Sequence, residues 1–162
     1  MYRITLTGED KVQQTLNKWK NIEVIVYGWM KGGKPDQIMQ KSFAMNFGRQ
    51  GRPDKWDELA ELTIESRDRL GYDDGPILQR SGSLMDAVTS MIGTVTTGGK
   101  EVRKTWGLEE LPESARKKFG PNQIGKGKTG QSLPARPMIG FQDANAKTLG
   151  TSLRDWILIE MQ

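Results

Sequence analysis

The stretch Gly120-Pro121-Asn122-Gln123-Ile124-Gly125-Lys126-Gly127 has the spacing of a phosphate-cradling loop, in which backbone N–H groups and a lysine hold a nucleotide's phosphates. It sets Gly127 where Ser or Thr must meet magnesium. Gly127-Lys128-Thr129 ends correctly but has no glycine five residues before it. Such a loop also needs a buried strand in front and a helix behind. Here Ala115-Arg116-Lys117-Lys118-Phe119 precedes and Pro134 soon follows, so residues 120–132 read as a long, flexible, basic Gly-rich loop. Paired carboxylates occur at Asp73-Asp74 and Glu109-Glu110. Acid–base work needs two carboxyls converging across a cleft, and sequence neighbours point apart. Beside Gly75 and Pro112 they read as solvated turn charges. The chain has no His and no Cys. That removes histidine-based triads, thiol nucleophiles, disulfides and zinc clusters. No catalytic residue, cofactor or metal ligand set is expected, and the chain does not read as an enzyme.

Charge is the remaining chemistry. Lys100 to Arg136 holds nine basic and four acidic residues, while the whole chain carries only +4. Clustered cations attract phosphates irrespective of sequence. Arg116, Lys117, Lys118, Lys126 and Lys128 are therefore the residues that would face genomic DNA. Only Trp106 and Phe119 are aromatic in that segment, too few for stacking on a single strand. No helix-turn-helix or similar reading element accompanies it. A solvated loop or a salt-bridged protein interface accounts for the same charge.

The elements that must position these residues are read from periodicity. At 162 residues the chain is expected to form one domain over 1–162. Ile, Leu, Val and Phe supply 34 residues, close to the roughly 20% of a chain below which disorder sets in. With five Trp and eight Met, this lean core suggests a domain that completes its burial against partners. Tyr2–Leu6 alternates as a short strand. Val12, Leu16 and Trp19 stripe a helix from Glu9 to Lys20. Ile22–Tyr27 is either a strand or a buried helical turn. Pro35-Asp36 starts a helix carrying Ile38/Met39, Ser42/Phe43 and Asn46/Phe47 on one face, followed by a basic loop from Gly48 to Pro53. Lys55–Leu70 predicts a further helix, with Trp56, Leu59, Leu62 and Leu70 inward and Gly71 past its end. Ser81–Met91 predicts a short helix with Leu84, Met85 and Val88 apolar. Gly93–Val102 predicts a hairpin turning at Thr96-Thr97-Gly98-Gly99. Pro134 and Pro137 keep Leu133–Phe141 extended. Asp143–Met161 is the clearest helix, with Asp143 as its N-cap. Trp19, Trp56 and Trp156 fall at core spacing, whereas Trp29 and Trp106, flanked by glycine, suit interface anchors. The N-terminus lacks signal-peptide character and no apolar run is long enough to span a bilayer, so a cytosolic setting without membrane contact is expected. The fold class that results is α+β: several helices packed on a small, mostly antiparallel sheet, with the Gly-rich loop projecting.

Three stretches together resemble the phage virion morphogenesis family of tail-completion and head–tail joining proteins. The first is Phe47-Gly48-Arg49-Gln50-Gly51-Arg52-Pro53-Asp54-Lys55-Trp56, running on to Leu59, Leu62-Thr63 and Arg67. Pro76-Ile77-Leu78-Gln79-Arg80-Ser81-Gly82-Ser83-Leu84 follows, a turn leading into a short helix. The third is Leu133-Pro134-Ala135-Arg136-Pro137-Met138-Ile139-Gly140-Phe141, ahead of the terminal helix. Their order and separations fit the family over residues 35–162. The chain departs from the pattern at Ser114–Gly120, where the family's Tyr and His are missing. The resemblance implies a non-enzymatic virion component at the head–tail junction, assembled in the host cytoplasm as a ring. Six-fold symmetry is implied, with neighbouring neck, connector or tail-tube proteins as partners. Interface candidates are Trp29, Arg52, Trp56, Trp106, Pro134, Arg136, Pro137, Met138 and Phe141. Arg136, stiffened between two prolines, is expected to reach a carboxylate of a neighbour bidentately. A DNA-binding protein using residues 100–136 is the alternative.

Overall fold

The computed structural model describes residues 9–72, 75–98, 101–125 and 134–161. Helices α1 (Glu9–Lys20), α2 (Ile22–Lys31), α3 (Lys34–Arg49), α4 (Glu61–Arg69) and α5 (Ser83–Thr89) come first. Strands β1 (Thr94–Gly98) and β2 (Glu101–Thr105) follow, then a 3-10 turn (Leu108–Glu110), α6 (Glu113–Ile124) and α7 (Asp143–Glu160). The strands pair antiparallel from Thr94 opposite Thr105 to Gly98 opposite Glu101. This is the expected α+β class, helices packed on a small antiparallel sheet.

Helix α3 is the centre of the molecule. Pro35 occupies its first turn, where the missing N–H costs nothing. Met39, Ser42, Phe43, Asn46 and Phe47 are buried at helical spacing, the face read from the sequence. Around it gather Trp56, Ile77, Leu84, Val88, Met91, Leu111, Ala115, Phe119 and Met138. Ile22–Tyr27 resolves as helix, part of α2.

Several expectations are corrected. The helix expected over Lys55–Leu70 begins only at Glu61, with Ala60 extended before it. Residues 55–60 are taken out of the helix by other bonds: Trp56 N–H donates to Gln50 O at 2.6 Å. Arg136 occupies the carbonyl oxygens of Asp57 and Glu58, which a helix would need. Leu62, expected inward, is 78% exposed, and Leu70 is also exposed. The basic loop starts later than Gly48, because α3 runs to Arg49. The hairpin is displaced toward the C-terminus, so Thr96 and Thr97 lie within β1 instead of the turn. The loop expected from Gly120 is helical through Ile124: burial of Ala115 and Phe119, one turn apart, overrides the cost of Gly120 and Pro121. Gly125, left-handed at φ 71°, ends that helix. Gln142 caps α7 instead of Asp143, its N–H donating to Asn145 Oδ1 at 2.9 Å. Trp19, expected in the core, is 52% exposed with Leu16 beside it on the same stripe. Strand Tyr2–Leu6, the pair Asp73-Asp74 and the rest of the Gly-rich loop, 126–132, lie outside the described residues.

Candidate assembly surface

Helix α3 ends in a tight reversal that only its sequence allows. Gln50 takes a left-handed φ of 53°, and Gly51 N–H closes onto Asn46 O at 2.8 Å. Gly51 sits at φ 115°, where a Cβ would come within 2.7 Å of Trp56 N and 2.9 Å of its ring. The Arg52–Pro53 peptide is cis. The reversal brings the Trp56 indole edge-on to Phe47, with centroids 5.7 Å apart.

The other two stretches dock on this corner. Asn46 Nδ2 donates to Met138 O at 2.9 Å, and Trp56 Nε1 to Pro137 O at 3.3 Å. Gln79 Nε2 donates to Phe47 O at 3.1 Å, and Ile77 N–H to Gln50 Oε1 at 3.4 Å. Residues separated by up to 92 positions thus form one unit. Gln123 of α6 fixes the third stretch from its other side, its Oε1 accepting Met138 N–H at 2.8 Å while its Nε2 donates to Ile139 O at 2.8 Å. Pro134 to Phe141 joins no sheet among the described residues, and it bends at Met138 and Ile139 where the sequence predicted an extended run.

Two arginines hold the unit from within. Arg52 Nε donates to Asn46 Oδ1 at 2.8 Å, and its Nη2 to both the carbonyl and the hydroxyl of Ser42 at 2.7 Å. Ser42 passes the chain on, donating to Asn145 Oδ1 at 3.0 Å on α7. Burial, and then the like charge of Arg49, hold the Arg52 guanidinium below the ordinary arginine pKa. Arg136 is 8% exposed. Its Nε and Nη2 donate to Asp57 O at 3.3 and 3.1 Å, and Nη2 also to Glu58 O at 3.1 Å. Burial lowers its pKa, and Asp57 offsets part of that shift. The expectation of an exposed Arg136 reaching a neighbour's carboxylate is corrected, since its donors serve backbone carbonyls of its own chain.

A second polar centre fastens the hairpin. Asp36 Oδ2 accepts Lys104 Nζ at 2.6 Å, and Oδ1 accepts Gly93 N–H and Trp106 Nε1 at 2.9 Å each. Lys104 also donates to Met30 O at 2.7 Å. Trp106 is therefore part of an internal lock instead of a surface anchor. Gly93 leaves Trp106 room, since a Cβ there would approach its Nε1 to 2.7 Å. Trp29 is likewise corrected: it is 4% exposed, donating to Ser152 Oγ at 3.2 Å between α2 and α7.

Trp56 and Met138 are buried, Arg52 is half-buried, and Pro134, Pro137 and Phe141 face solvent. The polar residues Asp36, Ser42, Asn46 and Asn145 do more of the joining than sequence reading assigned them. Their signal was visible, since hydrogen-bonding side chains at core positions of a helical stripe require buried partners. Of the basic segment, Lys104 and Arg136 turn inward, Arg103 pairs with Glu101 at 2.9 Å and Lys117 with Glu113 at 3.5 Å. Arg116 is exposed but ties down Leu111 O and Glu109 O, both at 2.7 Å. Lys118 is exposed, and Lys126 and Lys128 lie outside the described residues. The segment's charge is dispersed over several tasks.

Among the described residues, apolar surface is left uncovered on α1 and between α3 and α7. Leu16 and Trp19 line α1, and an open groove of about 960 Å³ runs between α3 and α7, lined by Ile38, Met45, Trp156 and Ile159 among others. Among the described residues no group of three His, Cys, Asp or Glu could hold a metal. No described helix is long and apolar enough to cross a membrane. No family model, curated protein or solved structure matches the chain.

Proposed function

We propose that the protein is a structural component of a phage head–tail junction, a ring-forming neck or tail-completion protein that allows head and tail to be joined. The observation that carries the reading is the convergence of the three stretches behind the resemblance: residues 46–59, 76–84 and 134–141 dock on one corner. Motifs that meet in space constrain one another as a unit, which scattered chance likenesses have no reason to do. The uncovered apolar stripe of α1 and the α3–α7 groove supply surface for self-association, and a head-to-tail contact between unlike patches closes into a ring when its rotation allows. The partners are copies of itself, six-fold by the resemblance, together with neighbouring neck or tail-tube proteins. The location is the virion, reached after assembly in the host cytoplasm.

The test combines sedimentation of the purified protein with mass spectrometry and image averaging of purified virions. A stoichiometric virion component at the neck, with free heads and free tails accumulating when its gene is disrupted, is the expected result. A monomeric protein that is absent from virions overturns the proposal.

A further inference from the structure

The strongest unassigned feature is a cavity of about 410 Å³ between the 58–60 segment, α4, the 78–80 turn and α6. Arg67, Arg80 and Arg136 line it, with Thr63 and Ser66 adding hydroxyls and Glu58 one carboxylate. Arg67 is 6% exposed, and its Nε has no hydrogen-bond partner. It is the only buried side-chain nitrogen or oxygen so placed among the described residues. None of the three guanidiniums makes an ion pair among the described residues. Arg136 spends its Nε and Nη2 on carbonyl oxygens, and Arg80 lies over the Tyr72 ring, 4.4 Å from its centroid.

An arginine stays protonated in a protein, so burying one without an acceptor is strongly unfavourable. Water can fill a polar cavity but brings no countercharge. Among the described lining residues, three guanidiniums face one carboxylate, an excess of about two positive charges and the complement of a phosphate dianion. The planar edge of a guanidinium is also the group best matched to paired oxygens of a phosphate. We propose that this cavity is a phosphate-binding site, in which Arg67 contributes its unpartnered Nε–H, Arg80 approaches from the exposed side, and Arg136 supplies charge while keeping its carbonyl bonds. The inference does not depend on the assembly role.

Titration of the full chain with inorganic phosphate, at constant ionic strength set by sodium chloride, tests it. The readout is the arginine Nε–H region of a ¹⁵N-correlated NMR spectrum. One resonance, assigned by its loss in Arg67→Lys, is expected to shift saturably with a Kd of about 1 mM. Acetate, a monoanion, is expected to bind roughly tenfold more weakly. The melting temperature should rise with phosphate in the parent protein. Arg80→Ala, at an exposed position that leaves the core intact, should weaken phosphate binding severalfold. An Arg67 resonance that does not move, or equal phosphate affinity in the parent and Arg80→Ala, overturns the site. Equal effects of phosphate and acetate overturn the assignment to a dianion.

Discussion

Arg136 and Lys104 are cations whose work is done inside the molecule. Arg136 holds residues 57 and 58 out of a helix, and removing it orphans those carbonyls beside a void. We expect Arg136→Ala to cost about 2–4 kcal/mol in urea denaturation, because its guanidinium serves its own chain and not the neighbour's carboxylate expected from the sequence. Arg136→Lys should recover only part of that loss, because an ammonium cannot span both carbonyl oxygens in a planar fork. Lys104, with its side chain 3% exposed, neutralises Asp36 at the root of the hairpin. Lys104→Met strands a buried carboxylate and should cost about 3–5 kcal/mol. The exposed Arg103–Glu101 pair, on the same strand with Arg103 next to Lys104, makes a matched control. Arg103→Ala should change stability by about 0–1 kcal/mol.

At the scale of elements, α6 is the helix the sequence hid. Gly120 and Pro121 read as loop, yet Ala115 and Phe119 are buried together and the helix continues past both breakers to Ile124. Pro121 can give no N–H to the turn before it. Pro121→Ala should therefore raise stability by about 1 kcal/mol or more, measured as a shift in urea midpoint at constant slope. A loss of stability would mean that the fixed φ of proline matters more than the missing donor. The contrast with α3 explains what was legible. Met39, Phe43 and Phe47 repeat at helical spacing behind a start signal at Pro35, so local pattern and tertiary burial agree. For residues 55–60 they disagree: Trp56 and Leu59 fit a helical stripe, but the carbonyls needed by that helix are claimed by Arg136 from nearly eighty residues away. Two of the interface candidates, Trp29 and Trp106, turn inward for a related reason. Glycine beside Trp29 and Trp106 signalled exposure, while their indole N–H groups find Ser152 and Asp36 on distant elements. Hydrogen-bond partners across the fold are invisible to periodicity.

For the whole molecule, the uncovered stripe of α1 is where association should be most easily perturbed. Leu16 and Trp19 contribute little to the monomer's core, both being about half exposed. Replacing both by Ser is expected to leave the melting temperature of the monomer within a few degrees, while lowering the sedimenting mass of the proposed ring toward that of one chain. Unchanged assembly would assign the interface to another face, with the α3–α7 groove next in line. Many of the ties between described elements pass through α3: Asp36 to the hairpin, Gln40 to Met91, Ser42 to α7, Asn46 to Met138, and Phe47 to Gln79. One consequence concerns time instead of place. Amide protons of α3 should exchange with deuterium only when the whole domain opens, and those of α1 through cheaper local fraying, so that the two helices report separate clocks. Joining copies through α1 would slow its clock and leave that of α3 bound to global unfolding. Deuterium uptake before and after assembly therefore locates the contact in the unaltered protein.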